Sequence, residues 1–395
     1  MLVLIMALAM VSDPEQPAIE LTRAEELRIA REDKAQHLTA PKRNALEKGL
    51  YEFRERRIME RFQAGLFGFH PLVGGIQTGS GFALGTSWSR GIVETSAQVS
   101  FKGYQRYGVS LSAPPLMNNR VSARLRAEYR NYSQERFFGV GQDSRKEDRA
   151  DYRLEDYTIA GDVIFHVTNK VKAGGTVGWI EANVGEGTGA RIPSLSSTSY
   201  VSSLSAFDKQ PRYVETGAFV DMDYRDEPGN PRAGARYTAR WSSFHDRDFG
   251  EYGFNRFDIE IQQYFPFFNQ RRVIALRVKT ALTETSDGQQ VPFYMLPSLG
   301  GSQDLRGFSE LRFRDNNMVV FNAEYRWEAF SGLDMALFGD AGQVASRISD
   351  FDFGAMKTAA GIGFRFNTAK KVFARVDVAF SQEGPRASIN FNHAF

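Results

Sequence analysis

Three stretches near the C-terminus alternate strictly between apolar and polar residues. From Val319 to Trp327, the residues Val319, Phe321, Ala323, Tyr325 and Trp327 share one face, and Asn322, Glu324 and Arg326 share the other. Between Val372 and Phe380, Val372, Ala374, Val376, Val378 and Phe380 stand against Arg375, Asp377 and Ser381. The last stretch sets Ile389, Phe391 and Phe395 opposite Ser388, Asn390 and Asn392. Successive side chains of a strand point to opposite faces, so a period of two marks strands with one buried apolar side. Strands with charges on one face, aliphatics on the other and a terminal aromatic fit a membrane barrel with a wet interior.

Composition agrees with that reading. The 395 residues suffice for one large barrel. Aromatic residues make up 13% of the chain, including 32 Phe and 15 Tyr, which suits a lipid-facing wall with interfacial girdles. Mean hydropathy is −0.38, far below a helical membrane protein but natural where every second residue is polar. The formal net charge is +2 with no basic block, so nucleic acid is not an expected partner. The absence of cysteine excludes disulfide frameworks and thiolate metal sites.

The N-terminal part is different. Residues 1–12 open with the apolar run MLVLIMALAM, too short for a membrane helix, and Ala7-Leu8-Ala9 reads as a small-x-small cleavage site. This is expected to be the remnant of a signal peptide. Residues 13–64 are charge-dense and expected to form a helical periplasmic extension. One helix is expected between Glu20 and Gln36. A second starts near Thr39 and Pro41 and gathers Leu46, Leu50, Phe53 and Met59 on one face.

Residues 65–395 form the barrel in this reading. Fifteen strand segments follow one another: Ser80–Ser89, Ile92–Lys102, Gln105–Ala113, Val121–Tyr132, Arg153–Val167, Val171–Ile180, Arg212–Tyr224, Ala233–Phe244, Phe254–Tyr264, Arg272–Thr283, Asn317–Trp327, Gly332–Ala341, Lys357–Asn367, Lys371–Ser381 and Arg386–Phe395. A fainter strand within Leu66–Gln77 brings the total to roughly sixteen, as an even closure requires. Connections alternate between short turns, such as Thr168-Asn169-Lys170 and Asp226–Pro231, and long loops, of which Glu284–Asn316 is the longest. Placing the C-terminus on the short-turn side makes that side periplasmic. Arg124, Arg126, Glu128 and Arg130 must face the lumen, because an Arg or Lys facing lipid at the midplane costs about 2–4 kcal/mol.

Several motifs then fall in order: Phe137-Phe138-Gly139-Val140-Gly141, the Pro-Gly turn Asp223–Gly234, Gly300-Gly301-Ser302-Gln303-Asp304-Leu305-Arg306-Gly307-Phe308, Phe338-Gly339-Asp340-Ala341-Gly342, and Gly361-Ile362-Gly363-Phe364-Arg365. Over about residues 72 to 395 the chain resembles the outer membrane protein 85 superfamily, the BamA/TamA-like or bacterial surface antigen barrels. That resemblance implies an all-β, transmembrane antiparallel barrel of sixteen strands whose long sixth extracellular loop folds inward. It implies a loop-tip motif in Leu305, Arg306, Gly307 and Phe308, docked on an inner-wall receptor of Phe338 and Asp340. The alternation of Leu333, Met335 and Leu337 against Asp334, Phe338 and Asp340 independently turns the receptor inward. In a fully hydrated lumen an Arg306–Asp340 pair contributes about 0–1 kcal/mol, and more where the loop excludes water. Phe391 and Phe395 are the expected C-terminal targeting signal.

The implied setting is the bacterial outer membrane. Its lipids, the barrel assembly machinery during biogenesis and a periplasmic protein or lipid are the expected partners. The implied work is translocation or assembly of protein or lipid, without cofactor or metal, through a weak seam between first and last strands. Members that handle proteins usually carry POTRA domains. Here only about fifty residues precede the barrel, little for a domain with its own core, and they read as helix. The chain is thus similar to a minimal member without them. A passive channel is the competing reading, because many charges line the lumen. A third is an outer-membrane hydrolase built on His245 beside Asp246 and Asp248, although one His next to two Asp is usually only a loop. No His/Asp/Glu cluster has metal-ligand spacing.

Overall fold

The computed structural model describes residues 22–36, 45–56, 67–77, 79–368, 371–391 and 395. The chain divides into two compact units, Met1–Leu46 and Glu47–Phe395. The first contains helix α1 (Arg23–Gln36), whose start is fixed by Thr22 and Glu25: the Thr22 backbone N–H and hydroxyl both donate to Glu25 Oε2, at 3.1 and 2.9 Å. Helix α2 (Ala45–Glu55) leads into the barrel, with Leu50 and Tyr51 half-buried. The proposed cleavage site, the Thr39–Pro41 helix start and Met59 lie outside the described residues.

Sixteen strands form one continuous antiparallel sheet in chain order. They are β1 (Phe69–Gly74), β2 (Ala83–Arg90), β3 (Val93–Ser100), β4 (Gln105–Ser112), β5 (Val121–Phe137), β6 (Ala150–His166), β7 (Val171–Glu186), β8 (Arg212–Asp223), β9 (Gly234–Asp246), β10 (Phe254–Phe267), β11 (Arg272–Glu284), β14 (Asn317–Phe330), β15 (Leu333–Ala345), β16 (Lys357–Asn367), β17 (Val372–Ser381) and β18 (Gly384–Asn390). Two short strands inside the long loop, β12 (Ser298–Leu299) and β13 (Phe313–Arg314), pair with each other. The faint first strand is present as β1, paired with β2 from Phe69↔Trp88 to Gly74↔Ala83.

The expected faces hold over most of the wall. On β6, Tyr157, Ile159, Val163 and Phe165 are exposed outward, while Asp156 and Thr158 are buried inward. Across β4 to β6, Arg106 Nη2 meets Glu128 Oε2 at 2.6 Å, Arg126 Nε meets Asp162 Oδ2 at 3.2 Å and Arg130 Nε meets Asp156 Oδ1 at 2.8 Å. Opposite charges on neighbouring strands thus pair across the inner face.

Two departures have local causes. β5 and β7 run on to Phe137 and Glu186, past the expected Tyr132 and Ile180. A bulge between Tyr132 and Glu135 shifts the register, so the alternation fades while the ladder continues. There, Phe137, Tyr152, Leu195, Tyr213, Phe254 and Phe293 form a buried apolar cluster at the long-loop end. Val372 was expected on the lipid face but is buried, because an irregularity at Phe366/Asn367 puts it out of step with Ala374.

The Pro-Gly turn between β8 and β9 does more than connect. Asp226 Oδ1 accepts from the backbone N–H groups of Glu227, Arg232 and Ala233, at 2.9, 3.0 and 3.2 Å, which sets its shape. From there it reaches strands on the other side of the sheet: Arg232 Nη2 donates to the buried Asp334 Oδ2 at 2.7 Å, and Gly229 O accepts from Val372 N at 3.0 Å. The turn therefore crosses the mouth at the short-turn end of the barrel. Arg232→Ala should free it, and trypsin should then cut at Arg225, whose side chain is held against Asp223 in the intact protein. Persistent resistance of the variant's turn to trypsin would mean that the Arg232 tie is dispensable.

Candidate functional site

The long loop folds inward, and its tip is among the most buried parts of the chain. Leu305 and Phe308 are fully buried with Leu299, Phe313, Met318, Val320 and Val344. Gly307 has φ +93, a left-handed conformation that favours glycine, and a Cβ there would stand 3.1 Å from Ser381 Cβ and 3.2 Å from Ala359 Cβ. The Ser381 hydroxyl donates to Gly307 O at 2.9 Å. The backbone can turn against the wall only because this position lacks a side chain.

That turn aims Arg306 at the inner wall. Its Nε and Nη2 donate to Asp340 Oδ2 and Oδ1 at 2.7 and 2.6 Å, and its backbone N–H reaches Asp340 Oδ2 at 3.1 Å. Its Nη1 donates to Glu324 Oε1. The guanidinium lies 3.6 Å from the centroid of the Phe338 ring. Arg306, Asp340 and Glu324 are 3%, 4% and 1% exposed. Of the two cases, hydrated and water-excluding, this burial is the second, with a desolvated, bidentate, ring-stacked arginine. Room for the ring comes from Gly361, its cross-strand partner: a Cβ there would lie 2.6 Å from Phe338 Cζ and collide with Val378 O.

Around the pair lies a wider charge network. Glu324 also accepts from Arg365 Nη2 at 2.9 Å and Arg326 Nε at 2.6 Å. Arg365 Nη1 continues to Asp377 Oδ1 at 2.6 Å, and Arg375 Nε lies 3.1 Å from Asp377 Oδ2. Arg375 Nη2 returns to the loop at Ser302 O, 2.7 Å away. On the other flank, Arg277 Nη1 donates to Gln303 O at 2.8 Å and Asn322 Nδ2 to Asp304 O at 2.6 Å. The tip is thus held by strands β11, β14, β15 and β17 together.

The Phe137-Phe138-Gly139-Val140-Gly141 motif clasps the returning limb of the loop. Gly141 N donates to Arg314 O at 2.8 Å. Arg312 Cζ lies 5.1 Å from the Phe138 ring centroid, and Arg314 Cζ lies 5.7 Å from that of Phe137. Arg312 and Arg314 escaped the sequence reading, as did Glu324, Arg365 and Asp377 as members of a network. The Arg-Phe-Arg run beside the loop's exit was the available signal for the first two.

The first and last strands complete the picture. Among the described residues, β1 pairs with β2 alone and β18 with β17 alone. A cavity of about 680 Å³ lies between them, with Val73, Gly74, Ala387 and Ile389 in its walls. Phe391 is partly exposed and meets the Phe82 ring edge-on at 5.8 Å, while a Cβ on Gly74 would stand 3.4 Å from Phe391 Cβ. Phe395 does not continue this line on the lipid face. It is 8% exposed and packs inside, against Tyr264, Val273 and Ala275. The β17–β18 ladder stops at Asn390, so the alternation no longer governs where the terminal residue points.

The His245 constellation is spoken for. Asp248 Oδ1 and Oδ2 take Arg212 Nε at 3.1 Å each, and these bonds hold the Asp248 carboxyl below the ordinary carboxylate range. Asp246 accepts from four backbone N–H groups of its own loop, at Asp248, Phe249, Glu251 and Tyr252. His245 Nε2 lies 3.4 Å from Ser243 Oγ. Both carboxylates shape a turn.

Comparison with solved structures gives the same architecture. BamA from Haemophilus ducreyi lacking POTRA domains 1–3 matches with a TM-score of 0.57 and 14% identity, over 87% of this chain and 75% of that one. CdiB from Escherichia coli matches at 0.50 and 12%, over 78% and 57%, and CdiB from Acinetobacter baumannii at 0.49 and 11%, over 82% and 59%. The chain thus spans less than two thirds of either CdiB chain. No curated protein sequence matches it. The Omp85 superfamily domain, however, matches residues 79–393, which takes in the clasp, the loop tip, the receptor and all but the first strand of the wall. The inward loop and its receptor are thus features of a chain that belongs to the Omp85 superfamily.

Proposed function

We propose that this barrel works in the bacterial outer membrane in the translocation or assembly of proteins or lipids, through the seam between β1 and β18. The observation that carries this reading is the missing ladder between those strands. Unpaired backbone N–H and C=O groups on a strand edge are a template for another strand. The strands flanking the seam are also short: β1 has 6 residues and β18 has 7, against 17 in β5 and β6. Fewer ladder bonds hold them, so local opening there costs least.

In this reading the docked tip is the rigid side of the device. Ser302 Oγ donates to Asn390 Oδ1 at 2.9 Å, and Arg386 Nη2 donates to Glu310 Oε2 at 2.7 Å, so the loop touches β18 itself. Arg306 on Asp340 would anchor that contact to the wall. The loop and the turn carrying Arg232 also obstruct the lumen from its two ends, which favours this reading over a passive channel.

The chain has no cysteine, so Gly74→Cys with Phe391→Cys introduces a single pair at bonding range. In liposomes, the reduced variant should speed insertion of an unfolded outer-membrane barrel, or transbilayer movement of lipid. The oxidised variant should fall to the protein-free rate, and reductant should restore it. Equal rates for the oxidised, reduced and Arg306→Ala forms would refute the seam. A large, steady conductance in planar bilayers with no effect on client or lipid would identify a channel instead.

A further inference from the structure

The inner face of β4 to β6 pairs its charges strand by strand, and two arginines in the short-turn half of the lumen stand outside that scheme. Arg124 on β5 has Ser112 and Asp162 as its cross-strand neighbours. Asp162 is already committed: it accepts from Arg126 Nε at 3.2 Å and from the Thr176 hydroxyl at 2.8 Å. Arg124 is exposed and has no ion pair or side-chain hydrogen bond among the described residues. Arg240 on β9 stands opposite Asp258 on β10, yet no ion pair joins them. Its guanidinium lies instead 5.1 Å from the centroid of the Phe219 ring. The ring itself lies over a glycine, since a Cβ on Gly174 would stand 2.6 Å from Phe219 Cζ. A guanidinium seated on an aromatic face keeps its N–H groups for another partner.

Both arginines line one cavity of about 470 Å³, together with Phe219 and Glu94. Glu128 and Asp162 also border it, but Arg106 and Arg126 hold them. Left over are the Arg124 and Arg240 guanidiniums and the Glu94 carboxylate, which is exposed and has no ion pair among the described residues. One arginine fork saturates the two oxygens of a carboxylate ligand. A phosphate offers a third oxygen and more charge, so forks from two different strands can share it. Glu94 adds a place for a cation beside it.

We propose that this cavity is a binding site for a small phosphorylated amine, with Arg124 and Arg240 on the phosphate and Glu94 on the ammonium group. The chemistry is that of ethanolamine phosphate, either free in solution or as the headgroup of a lipid. The site lies on the inner wall and does not depend on the seam reading above.

Calorimetric titration of the full chain in detergent micelles, with O-phosphoethanolamine, inorganic phosphate and ethanolamine as probes, tests the site. Phosphoethanolamine should bind about tenfold more tightly than inorganic phosphate, and ethanolamine more weakly than either. Arg124→Gln combined with Arg240→Gln should weaken phosphoethanolamine on the order of a hundredfold, because each arginine loses a charge-assisted hydrogen bond. Glu94→Gln should keep the affinity for inorganic phosphate and remove the preference for the amine. None of these residues holds an ion pair among the described residues, and heat-modifiable gel migration checks that each variant is folded. Nanodiscs separate the two sources. Weaker binding of added phosphoethanolamine in phosphatidylethanolamine discs than in phosphatidylglycerol discs assigns the site to a lipid headgroup, and equal binding assigns it to a free solute. Phosphoethanolamine that fails to bind, binds no more tightly than inorganic phosphate, or binds the double arginine variant as well as the parent would overturn the site.

Discussion

Arg306→Ala should release the loop tip and lower barrel stability by about 3–5 kcal/mol, the cost of stripping one partner from a buried ion pair. The substitution leaves Asp340 with Asn322 Nδ2, 2.7 Å away, as its remaining side-chain donor. Glu324 keeps Arg326 and Arg365, so the damage concentrates at Asp340. Two measurements read it. The temperature at which the folded band disappears in heat-modifiable electrophoresis should fall, and protease should enter Glu284–Asn316. Arg306→Lys should be intermediate, because an ammonium keeps the charge but cannot make the bidentate bond or stack its plane on Phe338. An Arg306→Ala barrel with unchanged melting and a protected loop would show that the docked arginine contributes nothing.

Gly361→Ala should do comparable harm without touching a charge. The added methyl would contact Phe338 Cζ at 2.6 Å and strike the Val378 carbonyl, so the ring or the ladder must move. Overpacking of this kind costs about 1–3 kcal/mol, and here the displaced ring also uncovers the Arg306 guanidinium. Gly339→Ala is the control: it is in the same motif as Phe338, yet a Cβ there meets nothing within 4 Å. Thermal midpoints of the two variants should separate clearly. Equal midpoints would mean that Phe338 is free to relocate and is not a fixed part of the receptor.

What was legible in the sequence follows from strand periodicity. Ile259, Phe321 and Val376 declared an outer face, and Glu324, Arg326 and Asp377 an inner one, because lipid tolerates no other register. The face of Asp340 followed from Leu333, Met335 and Leu337 in the same way. The network around it did not. Glu324, Arg365 and Asp377 each read as an ordinary lumen charge, and only the cross-strand registers, with Asn322 opposite Asp340 and Asp334 opposite Arg365, bring them around one loop. Burial was equally hidden, since hydration of the lumen depends on how fully the loop fills it. Phe395 shows the limit most plainly. Alternation assigns a face only while the chain stays in the sheet, and the ladder ends at Asn390. The Asp223–Gly234 turn looked like a connection because its reach rests on two contacts, Arg232 with Asp334 and Gly229 with Val372, that no local pattern encodes.

The open seam is tested most directly by hydrogen–deuterium exchange on the unmodified barrel in lipid, resolved strand by strand. Amides on the outer edges of β1 and β18 should exchange orders of magnitude faster than those of β5 and β6, which pair on both sides. Protection of Phe69–Val73 equal to that of the β5–β6 ladder would mean that the ring is fully zipped, and would contradict the account.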